Sequence, residues 1–241
     1  MTPAREALVE IRGLLAHDSM VQAVRLGGSL KRNEDDAWSD LDLWIDAEDG
    51  WHPNRLGSLW LGGMEGMLGD RPFFHGILAS GAVVDFLVGP EPWPGYDFLD
   101  AVPPQAPTDS EPGETGLLVE AWINTYKHEK VIARGLWPMG LIGMEIDRKY
   151  LVRLWAMLAT GEDPGKGAFT IHGLTPIVRR DLTPERTALL GLPARTEGEL
   201  RETLSALRQE LRSVSVALGE KGRPRPSRIE SVVLPVLRIE P

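Results

Sequence analysis

Apolar residues recur along this chain with two different periods, and the change of period divides it. Over residues 4–17, Ala7, Leu8, Ile11, Leu14 and Leu15 fall on one face at helical spacing, which predicts an amphipathic helix. Residues 21–27 and 40–46 are short apolar runs and predict strands, joined by a polar, exposed stretch from Lys31 to Ala37. Residues 54–68 place Leu56, Leu59, Trp60, Gly63, Met64 and Met67 on one side of a helix, a weaker pattern because glycine is costly inside helices. Phe73–Ala79, the turn Ser80-Gly81 and Ala82–Val88 predict a hairpin. Residues 89–113 are rich in Pro, Gly and Asp without periodicity, which predicts a crossover between two halves.

From there the period is helical. Leu117, Leu118, Ala121, Trp122, Thr125 and Ile132 make a stripe over 114–135, and Ile142, Ile146, Tyr150, Leu151, Leu154, Trp155 and Leu158 another over 141–160. Pro176 and Pro184 allow only short helices over 172–190. Leu200, Leu204, Leu207, Leu211, Val214 and Leu218 step by four and three over 197–218, as a bundle seam does. A basic, Pro-rich tail, Lys221–Arg228, leads to Ile229–Ile239, read as a short edge strand or a docked extension because Pro235 cannot donate to a ladder. The expected fold is α/β (α+β): a small mixed sheet with flanking helices over 1–110, then a C-terminal helical bundle over 111–241.

The candidate chemistry sits in the first half. Leu26-Gly27-Gly28-Ser29 is followed, after nine residues, by Ser39-Asp40-Leu41-Asp42-Leu43-Trp44-Ile45. Alternation puts Leu41, Leu43 and Ile45 on one face of a strand and Asp40 and Asp42 on the other. Two carboxylates at i and i+2 repel unless a cation lies between them, and hard oxygen donors suit Mg²⁺, which completes its shell from water and phosphate. A glycine turn exposes backbone N–H groups that hold phosphate oxygens, and Ser29 adds a hydroxyl that can also cap a following helix. Asp85, amid Val83, Val84, Phe86 and Leu87, stands where an unpartnered charge is expensive, and the hairpin places it in the same sheet.

Charge and composition narrow the function. Apolar residues make 42% of the chain and charged ones 25%, as in globular proteins that fold in water. Cysteine is absent, which excludes disulfides, a thiolate nucleophile and Cys-ligated zinc. The first residues carry no apolar signal core, and no run approaches the ~18 apolar residues of a membrane span, so a cytoplasmic location without membrane association is expected. Net charge is −9, with 18 acidic and 7 basic residues in 1–110 against 17 and 19 in the remainder. An acidic first half argues against duplex nucleic acid and suits metal ions and a cationic small molecule. Glu34, Asp35, Asp36, Glu48 and Asp49 read as solvated loop charges. The histidines His17, His52, His75, His128 and His172 show no metal spacing, no Ser-His-Asp arrangement is suggested, and Gly161–Gly167 lacks P-loop spacing.

Gly-Ser, a short spacer and Asp-x-Asp on a strand together resemble the DNA polymerase beta-type nucleotidyltransferase superfamily, and within it the aminoglycoside and lincosamide nucleotidyltransferases. In place of the Arg-Gly that often follows in relatives, this chain has Leu30-Lys31. The resemblance implies one or two Mg²⁺ ions on Asp40, Asp42 and Asp85, with Asp85 a ligand, a general base, or both. It implies ATP or another nucleoside triphosphate as co-substrate, with Gly28 and Ser29 on the β/γ-phosphates.

The acceptor it implies is a small-molecule hydroxyl, an antibiotic of those classes, modified by a monomer or homodimer. Lys31 and Arg32 lie just past the turn, and Lys127, Lys130 and Arg134 fall near one helical face. Val131–Trp137 resembles a helix end where those enzymes hold the nucleotide, implying Arg134 first and Lys130 and Lys149 after it. Glu114, Glu120, Glu129, Glu145 and Asp147 are candidate acceptor-lining acids. Trp44, Trp60, Trp137 and Trp155 read as core, and Trp122 as core or a stacking platform. The rival expectations are adenylylation of a protein partner, as in antitoxins of this superfamily, and a non-catalytic nucleotide-binding module.

Overall fold

The computed structural model describes residues 1–90, 92, 94–99, 113–165, 175–177, 180 and 182–239. Much of the expected crossover, His172, and the end of the Gly161–Gly167 loop lie outside them, as does most of the stretch before Pro184. The chain forms two compact units, Met1–Gly116 and Leu117–Pro241.

The first unit is built on a mixed six-stranded sheet. Its elements are α1 (Pro3–His17), β1 (Val21–Leu26), the one-turn helix α2 (Gly28–Lys31), β2 (Leu41–Ala47), β3 (Trp60–Leu68), β4 (Arg71–Leu78), β5 (Val83–Val88) and β6 (Asp97–Phe98). The strand order is β3-β4-β5-β2-β1-β6, with β2 and β5 parallel and the other pairs antiparallel. Helix α1 starts where expected because Thr2 caps it, its hydroxyl accepting from the Arg5 N–H, with Pro3 in the first turn. Its buried Ala4, Ala7, Ile11 and Leu15 share one apolar core with Leu41, Leu43 and Ile45 of β2 and Val84, Phe86 and Val88 of β5. Each fully buried Leu or Ile in such a core contributes about 1.5–3 kcal/mol.

Residues 54–68 are not the expected helix. A 3-10 segment, Pro53–Leu59, kinked at Gly57, is followed at Trp60 by strand β3. The pattern misled because Gly63 and Gly76 are gaps for Trp60: a Cβ on either glycine would stand 2.7 and 2.1 Å from its ring, so the spacing reflects packing across two strands. Strand β6 falls in the stretch read as aperiodic. It is two residues long, too short to show a period, and pairs Phe98 with Arg25 and Asp97 with Leu26.

Among its described residues the second unit includes α3 (Leu117–Ala133), α4 (Trp137–Thr160), α5 (Pro184–Leu190), α6 (Glu197–Glu220) and α7 (Ser227–Leu237). The seam on α6 is buried from Leu200 to Leu218, as its four-three spacing predicts. Of the two readings of the tail the strand is corrected: Ile229–Ile239 is mostly helix, and it is docked. Ile229, Val233, Leu234 and Leu237 are buried at helical spacing, and Pro235 falls in the last turn. What docks this helix is Glu230, which is 3% exposed and accepts bonds from Trp122, Ser215, Arg212 and Arg225. A buried carboxylate needs such partners to offset its desolvation. Trp122 is thereby a core residue and not a stacking platform. Among the described residues no helix is long and apolar enough to cross a membrane.

Candidate active site

Strands β2 and β5 run parallel in a register that sets Leu41 beside Val84, Asp42 beside Asp85 and Leu43 beside Phe86. Since Leu41, Leu43, Val84 and Phe86 point into the core under α1, alternation sends Asp42 and Asp85 to the other face, side by side. Asp40 immediately precedes β2. It is delivered by a loop that Asp36 folds: the Asp36 carboxylate accepts from the Trp38 N–H at 2.8 Å and the Ser39 hydroxyl at 3.1 Å. Asp35 is likewise structural. Its side chain is 3% exposed, and it accepts bonds from the Arg5 guanidinium and the Thr2 hydroxyl, tying the loop to the start of α1. Asp35 is therefore not the solvated charge expected of it, whereas Asp36 is exposed, as expected.

The glycine turn lies against the same carboxylates. Gly28 has φ +62°, and a Cβ there would stand 1.8 Å from Asp42 Oδ2. Both the backbone conformation and the space demand glycine. The Gly27 N–H donates to the Asp42 carbonyl at 3.0 Å, extending the pairing of β1 with β2 into the turn. Ser29 lies inside α2, and the capping position is Gly27, so the expected Ser29 cap does not form. Lys31 ends α2 and pairs with Asp97 of β6 at 3.0 Å.

Two residues of this face escaped sequence reasoning. Tyr96 lays its ring on Gly27, where a Cβ would stand 2.5 Å from it, and meets Trp44 edge-on at 6.0 Å. Burial, then the charges of Asp42 and Asp85, push its phenol up to about 12, so it stays a neutral donor. His75, on β4, is in register with Asp85, and its Nδ1 contacts Asp85 Oδ1.

The structure thus brings together Gly28, Asp42, Asp85, His75 and Tyr96, with Asp40 and Ser29 adjoining in sequence. It does not close a cage of ligands: among the described residues no group of three or more His, Asp or Glu side chains stands ready to hold a metal. The donors nonetheless fit Mg²⁺, which takes one or two carboxylates and fills its remaining positions with water and phosphate oxygens.

The expected cations of the second unit are not one exposed stripe. Lys130 is 5% exposed on α3, its ammonium 5.9 Å from the Tyr126 ring. Arg134 is exposed just past the end of α3, and Lys149 is half-buried on α4. The candidate acceptor acids are engaged within their own units. Asp147 accepts from His128 at 2.8 Å and from Asn124 at 3.1 Å. Glu129 accepts from Arg208 at 2.8 Å, Glu120 from the Tyr150 hydroxyl at 3.3 Å, and Glu145 from Arg148. Glu114 is held through its backbone, which pairs with Leu61 and Gly63 in the first unit.

The fold is a mixed α/β sheet unit followed by a helical one. No protein-family model matches the chain, and no curated protein sequence matches it. Among solved structures it is similar to an aminoglycoside 6-adenyltransferase from Bacillus subtilis, at 13% identity over 98% of this chain and 97% of that one, with a TM-score of 0.39.

Proposed function

We propose that this chain is a metal-dependent nucleotidyltransferase that moves a nucleoside monophosphate, AMP from ATP, onto a hydroxyl of a small molecule. The observation that carries the reading is the meeting of Gly28, Asp42 and Asp85 on one face of the sheet. A glycine turn pressed against paired carboxylates offers N–H groups for phosphate and oxygen donors for a divalent ion within one side-chain length. Asp40, Asp42 and Asp85 would hold Mg²⁺, which when bound neutralises triphosphate charge and lowers the pKa of the attacking hydroxyl. Gly28 and Ser29 would take the β/γ-phosphates, with Lys31, at the end of α2, as the candidate cation beside them.

In the reaction the acceptor oxygen forms a bond to the α-phosphorus. The bond from that phosphorus to the bridging oxygen breaks, and pyrophosphate leaves with the bonding pair. Asp85 Oδ2 accepts the hydroxyl proton, a contribution of about 10²–10⁴-fold for a positioned base. Tyr96, neutral at working pH, can donate a hydrogen bond at the edge of the site. The acidic first half favours a cationic acceptor. An aminoglycoside is the leading class and a lincosamide the next.

The test is Mg²⁺-dependent pyrophosphate release from ATP with a panel of antibiotics. Release with an antibiotic supports the proposal. Release only with a protein partner moves the acceptor to a polypeptide, and absence of triphosphate turnover with every acceptor overturns the reading.

A further inference from the structure

We infer that His75 is the positioning residue of Asp85: it fixes which carboxylate oxygen does the chemistry. This rests on the reading of Asp85 as an acting carboxylate. His75 is 2% exposed, and its buried Nδ1 finds its partner in Asp85. Its place is set by the β4–β5 register, which puts it directly across from Asp85, while Asp42 lies on Asp85's other side. A row therefore crosses four strands: Met64 on β3, His75 on β4, Asp85 on β5 and Asp42 on β2.

The ring is held as well as placed. Phe73, two residues earlier and on the same face, stacks on it at 6.4 Å and 11°. An ionised carboxylate only accepts, so Nδ1 carries the proton in the contact with Oδ1. With Oδ1 committed to His75, the chemistry of Asp85 falls to Oδ2. An aspartate on a strand otherwise rotates about two bonds, and each misplaced rotamer removes the donor from the site. Fixing it beforehand is what an outer-shell partner does, and loss of such a partner typically costs 10–100-fold in metal affinity or activity.

The test compares full-length wild type with His75→Leu and His75→Asn. Leucine fills the buried space without a donor, and asparagine puts an N–H near the place of Nδ1. Two readouts are taken: Mn²⁺ affinity with a non-hydrolysable triphosphate by calorimetry, and kcat and KM for transfer. His75→Leu should lose about 10–100-fold in Mn²⁺ affinity or kcat with KM for the acceptor unchanged, and His75→Asn should recover to within about threefold. In an Asp85→Asn background, His75→Leu should add no further loss.

A leucine variant within twofold of wild type on both readouts, an asparagine variant as impaired as leucine, or additive losses in the Asp85→Asn background would each overturn the inference. If His75→Leu fails to fold, His75→Ala takes its place as the variant without a donor, with the same expected loss and the same results overturning the inference. Wild type that turns over ATP while the His75 variants match it sinks this inference alone. Wild type that neither binds Mn²⁺ nor turns over ATP sinks the nucleotidyltransferase reading with it.

Discussion

Gly28 and Asp42 occupy each other's space: where a side chain at 28 would begin, Asp42 Oδ2 already lies, 1.8 Å from the Cβ position. The glycine turn and the paired carboxylates, read separately in the sequence, are one object in the fold. Gly28→Ala should therefore lose about 1–2 kcal/mol from its positive φ alone, and more from the collision. Urea unfolding checks this. Gly28→Ala combined with Asp42→Gly should regain the part due to the collision but not the part due to φ, and should be inactive. Equal stability of Gly28→Ala and wild type would refute the geometry.

Tyr96 reports on the same carboxylates. Its phenol is raised to about 12 by burial first and by Asp42 and Asp85 after it. A raised phenol contributes stability below its unfolded value near 10, and the contribution is lost as pH rises through about 12. Tyrosinate absorbance, differenced against Tyr96→Phe, should show this late titration. In Asp42→Asn it should move down, because one repelling charge is gone. An unmoved titration would place the ring away from the pair.

Asp35 gives a prediction at the acid end. Its hydrogen bonds from Arg5, then Thr2, hold the carboxyl down to about 2. A lowered carboxyl contributes stability above its unfolded value near 4, and the contribution is lost as pH falls through about 2. Between those values wild type should lose stability more steeply than Asp35→Asn, measured by urea unfolding at each pH. Parallel curves would show that the ion pair does not tie the loop to α1.

How far the sequence reveals this arrangement depends on the length of each signal. Alternation through Leu41, Leu43 and Ile45 correctly separates the core face from the carboxylate face, because each strand is long enough to show its period. The long stripe of α6 is equally plain. Residues 60–68 were misread because glycines opposite Trp60 mimic helical spacing, and two-residue β6, with Tyr96 beside it, has no period to show.

His75 was hidden by a single residue of register. A two-residue turn at Ser80-Gly81 would set Gly76 across from Asp85. The actual loop is longer: Leu78 receives a hydrogen bond from Gly81 and gives one to Ala82, so Ala79, Ser80 and Gly81 all lie in it. That shift brings His75 opposite Asp85. Asp35 looked like a solvent-facing charge because its partners, Thr2 and Arg5, are set by the fold.

The most direct measurement is pyrophosphate release from ATP in the presence of Mg²⁺ and a hydroxyl acceptor, wild type against Asp42→Asn, with both shown to unfold at the same urea concentration. The account predicts turnover in wild type and a loss of at least about 100-fold in the variant, since a neutral amide at 42 removes a negative charge from the set proposed to hold Mg²⁺. Near-normal turnover in Asp42→Asn would contradict it.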